Sequence, residues 1–393
     1  MSPSILVLSL SPIERDPRVL RQIELLRELG DVHTAGYGAA PSGVASHVQV
    51  PEELGNWRAD YRHFYALVLT RQFRRLYDNA PWVRFLRTHI TPGAHDVVVG
   101  NDAAAVPLAR ALAPRCGVHV DMHEYATRQR EGDALWERYQ RPVVRWIVSE
   151  HLTKVDSVTT VSRGLAEEYG REFGIAADVV PNAARHRADI SVRETPKQGP
   201  VRLVHTGAAG RARRLEIMVD AVAAANARRP GAFTFDLFLM PGEAAYIAEL
   251  CHRIEVLGDP AIRVLEPVPF DQIVPTLTSY DVGLFVCPPT TFNLEHTVPN
   301  KLFEFVQARL GIVIGPSPDM RRYIESHELG LVTADFEAEN VAGELLTLTP
   351  EGIDTMKQAA DDAAAPLGSE RLSLPWTTAV SRLLHPEGTP RVP

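Results

Sequence analysis

Cysteine is nearly missing: Cys116, Cys251 and Cys287 are the only three in 393 residues, and they stand far apart. An odd, scattered set fits reduced core thiols and excludes a disulfide frame or a cysteine zinc site. Long hydrophobic runs are missing too, with no stretch of about 18 apolar residues, so no membrane-spanning helix is expected. Met1 is followed by no charged, apolar, small-residue leader, and a cytoplasmic location is the expectation. There is no basic excess either. A net charge of −8 argues against a nucleic-acid binder as a whole. Lysine is the scarcest charged residue, with Lys154, Lys197, Lys301 and Lys357 set against roughly nine times as many arginines. A lysine inside a strongly patterned stretch is therefore no neutral choice, because it supplies a compact point charge where arginine supplies a wide planar fork.

What is present is ordinary globular material, 45% hydrophobic and 23% charged, long enough for two domains. In the first half, apolar runs at 5–10, 96–99, 118–122, 157–161 and 178–180 alternate with helical patterns at 17–29, 103–112, 134–154 and from the N-cap candidate Ser162 onward. Residues 185–200 break the pattern with polar, charged composition and two prolines, which reads as a linker. The alternation then restarts, with strands at 201–205, 233–240, 262–265, 281–286 and 312–314 and helices at 215–228, 243–257, 270–277 and 299–308. An acidic, alanine-rich stretch at 351–365 precedes a last apolar helix at 376–384 and a tail that reads as disordered. The predicted architecture is α/β: two doubly wound Rossmann-like domains with parallel sheets. Expected boundaries are 1–185 for the N-terminal domain, 186–200 for the linker, 201–370 for the C-terminal domain, and 371–393 for a helix returning to the first domain plus the tail.

The most patterned stretch is 297–315, TVPNKLFEFVQARLGIVIG. It reads as loop, short helix and buried strand, with Pro299 at a first turn and Gly311 closing the helix. Lys301 and Glu304 are three apart and share one helical face. The helix start suits a phosphate, and a carboxylate one turn further in suits hydroxyls. A solvated surface ion pair is the plainer alternative.

In doubly wound sheets ligands sit past the carboxyl ends of the strands, and two such sheets facing each other imply a cleft. Candidate residues fall at those ends: 9–18, 121–124, 205–214 and 287–301. In 205–214, HTGAAGRARR, two glycines permit close backbone approach and three arginines follow where a helix begins. The alternative is a plain turn with solvated arginines; neither a Walker A loop nor a G-x-G-x-x-G fingerprint is present. Asp121-x-His123-Glu124 is compatible with a metal site, a structural histidine or a substrate-facing His123, and no second cluster at ligand spacing supports the metal. Residues 57–90 hold seven arginines against Asp60 and Asp78, interleaved with aromatics from Trp57 to Phe85. That composition fits peripheral contact with an anionic membrane surface, or helices that pack their aromatics inward.

Pro299-Asn300-Lys301-Leu302-Phe303-Glu304-Phe305, with Ala308 and the strand after Gly311, resembles the donor-binding signature of glycosyltransferase family 4, the retaining GT-B-fold glycosyltransferases. Asp16-Pro17-Arg18-Val19, Asp121-x-His123-Glu124, VTTVSRGL at 158–165, Val179-Val180-Pro181-Asn182, Gly207 with Arg214 seven residues on, and Trp376 resemble further stretches of that family in the same order. The resemblance implies that Glu304 binds both ribose hydroxyls of a nucleotide-diphospho sugar, that Arg214 and Lys301 neutralise its diphosphate, and that His123 faces the transferred sugar. It also implies a base contact from the Val268 backbone, with Gly207, His296, Thr297 and Asn300 completing the donor-contacting set. No metal or cofactor is implied; the nucleotide sugar is a substrate, and its acceptor is a small molecule, a lipid-linked species or a glycan presenting a hydroxyl or amine. Three positions depart from the family pattern. His296 stands where the first glutamate is expected, Arg309-Leu310-Gly311 replaces a Gly-x-Pro, and 10–18 replaces a glycine-rich loop. Two other functions fit the same residues, a non-catalytic glycosyltransferase-like subunit and a sugar-nucleotide epimerase.

Overall fold

The computed structural model describes residues 2–55 and 61–386; Trp57, Asp60 and the tail 387–393 lie outside them. The chain divides into two compact units, the first of residues 1–180, 291–293 and 373–393, the second of 181–290 and 294–372.

The first unit is built on a seven-stranded sheet of β1 (Ser4–Pro12), β2 (Asp31–Tyr37), β3 (Ser46–Gln49), β4 (Val97–Asn101), β5 (Gly117–Met122), β6 (Ser157–Thr160) and β7 (Ala177–Val179), in the order β3-β2-β1-β4-β5-β6-β7. The second unit has six strands, β8 (Val201–Ala208), β9 (Phe233–Met240), β10 (Ile262–Leu265), β11 (Val282–Phe285), β12 (Gly311–Ile314) and β13 (Gly330–Val332), in the order β10-β9-β8-β11-β12-β13. Every pairing is parallel, for example Ile5 opposite both Val32 and Val97, and Val282 opposite both Leu203 and Gly311. Parallel strands are covered on both faces, so their central members must be apolar throughout. Val97 to Val99 in β4 and Ile312 to Ile314 in β12 are accordingly buried. Strand order reverses between β1 and β4 in the first unit and between β8 and β11 in the second, which puts a ligand crevice at the carboxyl ends of those strands.

The doubly wound α/β reading holds, and the differences lie in short or interrupted elements. Strands β2, β3 and β13 are absent from the sequence-based pattern, as are the helices Pro318–Ser326 and Ala338–Leu345. β2 mixes His33, Thr34 and Gly36 among its apolar residues, and β13 is three residues long, too short to show a period. The expected helix at 134–154 is broken into Ala134–Tyr139 and Arg141–Glu150, where Pro142 removes a backbone donor. Ser162 does stand at an N-cap, yet its buried hydroxyl makes no capping bond. Gly311 does not close the helix Asn300–Gln307. The left-handed closing residue is Arg309, with φ 59°, and Arg309 N–H to Val306 O with Leu310 N–H to Phe305 O forms a Schellman pair. A non-glycine residue is tolerated there because the Arg309 guanidinium donates to Asp361 and to the carbonyls of Gln307 and Arg187.

Residues 181–200 pack on the second unit rather than running free. Arg187 N–H donates to Gln307 Oε1 at 2.9 Å and Thr195 N–H to Asp354 Oδ1 at 2.7 Å. The helix Leu374–Leu384 belongs to the first unit, where Trp376 is fully buried and its Nε1–H donates to Thr159 Oγ1 at 3.2 Å. In 57–90, Phe64, Tyr77 and Trp82 are buried, so for these three the aromatics pack inward. No helix among the described residues is long and apolar enough to cross a membrane.

Candidate active site

At the switch point of the second unit, β8 delivers Thr206 and Gly207 and the helix Asn300–Gln307 delivers Lys301 and Glu304. Glycine is required at 207 for two reasons. Its φ of +134° lies where side-chain-bearing residues are strained, and a Cβ there would stand 2.8 Å from Lys301 Nζ. The missing side chain thus makes room for the ammonium itself, not only for a ligand. Lys301 is 6% exposed and its Nζ lies 4.7 Å from the Phe285 ring centroid, a cation–π contact. It makes no hydrogen bond or ion pair among the described residues. Burial, then the charge of Arg213, pulls the Lys301 pKa down, while Glu304 and Cys287 oppose this. Glu304 is buried as well. Desolvation pushes its carboxyl up, against the Lys301 charge and a hydrogen bond from Thr206. The pair is therefore no solvated surface ion pair. It is a buried cation and a buried carboxyl, each costly to keep charged without a further partner.

The three arginines after β8 divide sharply. Arg211 is held by Glu249, and Arg214, with φ 51°, by Glu216 at 2.5 Å. Arg213 is half-buried, and its guanidinium has no carboxylate partner among the described residues. Its charge acts on Lys301, Cys287 and His205. Sequence spacing from Gly207 selects Arg214; the arginine whose field reaches Lys301 is Arg213. The cue for it is the three-residue turn Arg211–Arg213, which ends in the left-handed Arg214.

Of the remaining predicted donor residues, Val268 is half-buried past the end of the edge strand β10, Thr297 is half-buried, and Asn300 is exposed in the first turn of its helix. Among the described residues, no side-chain hydrogen bond or ion pair joins these three to Lys301 or Glu304. His296 Nδ1 pairs with buried Asp319 Oδ2 at 2.8 Å, on the helix that follows β12. Pro299 stands at the N-cap of Asn300–Gln307, and no side chain caps that helix.

In the first unit the strand ends after β1, β4 and β5 meet. Arg18 donates from Nε and Nη2 to the two oxygens of fully buried Asp121, at 2.7 and 2.8 Å, and from Nη1 to Val180 O at 2.9 Å. Thr159 Oγ1 donates to Asp121 Oδ1 at 2.7 Å, and the Arg18 guanidinium lies 4.8 Å from the Trp376 ring centroid. Arg18, Asp121, Thr159, Val180 and Trp376, one from each of five separate stretches, are thereby one physical cluster. His123 sits against it, with Nε2 3.3 Å from Asp121 Oδ2 and Nδ1 3.3 Å from Asp102 Oδ2. Its backbone N–H donates to Asp102 Oδ1 at 3.0 Å. Burial lowers the His123 pKa, but the charges of Asp102 and Asp121 outweigh it and the net direction is upward. His123 lines a cavity of about 300 Å³ with Ser9, Asp102, Glu124, Gln129 and Trp136. Among the described residues, no group of three or more His, Cys, Asp or Glu side chains is arranged to hold a metal ion.

A histidine whose folded pKa is raised contributes stability that is complete below about pH 6.5 and is lost as pH rises through the folded value. The deficit of His123→Gln in urea unfolding is therefore expected to be largest near pH 6 and to shrink toward about pH 8. A deficit that does not vary with pH overturns the assignment of charge to His123.

No family model matches the chain, and no curated protein matches it in sequence. Solved structures do match in fold. A trehalose-6-phosphate structure from E. coli bound with UDP-2-fluoro glucose superposes with TM-score 0.68 at 13% identity, covering 99% of this chain and 100% of that one. Anabaena HepE in complex with UDP-glucose gives 0.68 at 14%, covering 96% and 99%, and sucrose-phosphate synthase from Thermosynechococcus elongatus gives 0.68 at 12%, covering 98% and 100%. At these identities the likeness is one of fold: the chain has the GT-B architecture of two Rossmann-like units.

Proposed function

We propose that the protein is a retaining glycosyltransferase whose second unit holds a nucleotide-diphospho sugar. The observation that carries this reading is the buried Lys301 ammonium, set against Gly207, beside a half-buried Arg213, neither with a hydrogen-bond acceptor or carboxylate ion-pair partner among the described residues. A buried ammonium without a hydrogen-bond acceptor and an arginine without a carboxylate partner among the described residues, at a sheet switch point next to an uncapped helix start, suit a diphosphate. Glu304, one turn into the same helix, is placed to accept from ribose hydroxyls. The UDP and UDP-glucose bound in structures of the same fold support the donor class.

In the proposed reaction the bond from the sugar C1 to the diphosphate oxygen breaks and a bond from C1 to the acceptor oxygen forms on the same face. The acceptor proton passes to the departing phosphate oxygen. Negative charge grows on the diphosphate, and Lys301 and Arg213 stabilise it without reorganising. His123 is retained from the family resemblance as a residue acting on the transferred sugar. The cavity it lines in the first unit, with Ser9, Asp102, Glu124 and Gln129 among apolar residues, suits a hydroxyl-bearing acceptor.

The test is release of nucleoside diphosphate from a donor panel, beginning with UDP-glucose, with and without acceptors, with the product anomer read by NMR. Acceptor-dependent release with retained configuration supports the reading. Donor conversion without acceptor indicates an epimerase, and tight binding without turnover a non-catalytic subunit. Within the reading, Arg213→Ala is expected to lower kcat roughly tenfold, about 1.4 kcal/mol of transition-state stabilisation, while Arg214→Ala changes it less than about threefold. The reverse order in steady-state kinetics overturns the role given to Arg213.

A further inference from the structure

A second concavity lies in the first unit at the opposite end of the sheet. The helix Asp102–Ala111 leaves the carboxyl end of β4 and runs back along it, so its second half, with Pro107, Arg110 and Ala111, reaches toward the edge where the strands begin. There it meets the end of Arg141–Glu150 and the residues before β6, enclosing about 610 Å³. The rim is Arg74, Arg87, Arg110 and Lys154, and the floor includes Tyr77 and Trp146.

The charges on this rim do not cancel. Asp78 serves two guanidinium groups, Arg87 at 2.8 Å and Arg74 at 3.6 Å. Glu150 is taken by Lys154 at 3.2 Å. Arg110 has no carboxylate partner among the described residues. Its Nη1 lies 3.3 Å from His151 Nδ1, and a guanidinium has nothing to accept with, so the ring nitrogen must be the acceptor and the imidazole neutral. Burial, followed by the Arg110 and Lys154 charges, holds the His151 pKa down, in keeping with that tautomer. Two positive charges are left over at a concavity with an aromatic floor. Arginine forks suit a planar or tetrahedral oxyanion better than a lone chloride.

We infer that this pocket binds a phosphate group carried on an organic body, with Arg110 and Arg87 as its principal ligands, at a site remote from His123. The phosphate could belong to a soluble phosphate monoester or to the headgroup of an anionic lipid, and the two sources separate experimentally. The full chain is used with Lys301→Ala, which silences the diphosphate site proposed for the second unit. Phenyl phosphate is titrated by calorimetry, and co-sedimentation is measured with phosphatidylcholine vesicles with and without phosphatidic acid.

The soluble source predicts phenyl phosphate binding without preference for phosphatidic acid vesicles; the lipid source predicts vesicle binding that requires phosphatidic acid. In either case Arg110→Gln is expected to weaken binding roughly tenfold, the loss of one charge-assisted contact, and Arg110→Lys by less because the charge is kept. Thermal midpoints should stay level, since Arg110 is only half-buried and Arg87 is exposed. Binding of neither probe at millimolar concentration overturns the inference, as does binding that survives in a folded Arg87→Gln, Arg110→Gln double variant.

Discussion

Glu304→Ala is expected to weaken donor binding by about 2–4 kcal/mol, the loss of two hydrogen bonds to a charged acceptor. Two effects combine in that figure. In the proposed donor site the carboxyl of Glu304 accepts from the donor's hydroxyls, and its charge also opposes the fall of the buried Lys301 pKa. Burial already pulls the Lys301 pKa down, and Glu304 is the first cause resisting it. Removing Glu304 lets more of Lys301 lose its proton, so the site loses part of its phosphate charge along with its hydroxyl acceptor. The sign follows for pH. The donor affinity of Glu304→Ala should fall as pH rises, starting at lower pH than in the parent, because a lowered amine pKa means the ammonium survives only on the acid side. Glu304→Gln removes the counter-charge while keeping an acceptor oxygen, and should lie between the two. Since Lys301→Ala removes the same charge, the double variant should lose less than the sum of the singles, a coupling of about 0.5–3 kcal/mol in a double-mutant cycle. Calorimetric titration with UDP-glucose reads all of this. Unchanged affinity in Glu304→Ala, or strict additivity with Lys301→Ala, removes Glu304 from the donor site.

How far such a site is legible in a sequence depends on whether its parts are local. Lys301 and Glu304 are three residues apart on one short helix, and the near-absence of lysine elsewhere marks the first of them. The α/β alternation is likewise local, repeated often enough that losing β2, β3 and β13 to mixed or very short strands does not change the architecture. What resists reading is long-range or conformational. Gly207 is needed because a lysine from residue 301 occupies the space beside it, and nothing in residues 205–214 says so. Telling Arg213 from Arg214 takes one left-handed φ and the carboxylate of Glu216 that holds Arg214. Arg309 closes its helix in place of the adjacent Gly311 because distant Asp361 and Arg187 hold it there. Residue types are visible in sequence; which of several like residues is already paired is visible only after folding.

The other large effect belongs to the first unit. Asp121→Ala should destabilise it by about 3–5 kcal/mol, the usual cost of leaving one member of a buried ion pair alone. Arg18 is 6% exposed and donates two hydrogen bonds to Asp121, so truncation removes the carboxylate that receives both of them from a buried guanidinium. Thr159 loses its acceptor in the same step. The pair is weak evidence of stability in itself, since well-packed apolar residues of similar volume often replace such pairs without loss. That sets the control: Arg18→Met with Asp121→Leu should recover most of the deficit, because neither desolvated charge remains. Function separates the variants again. Asp121 is one of the two acids that raise the His123 pKa, and without it burial, the largest cause, is opposed by Asp102 alone. The charge-free double variant should therefore be stable and still have a His123 titration shifted to lower pH by NMR. Stability is read from urea unfolding of the first unit, followed separately because two units need not unfold in one transition. If Asp121→Ala costs less than about 1 kcal/mol, the ion pair is not holding these strand ends together. If the double variant leaves the His123 titration unmoved, Asp102 alone sets the charge of that imidazole.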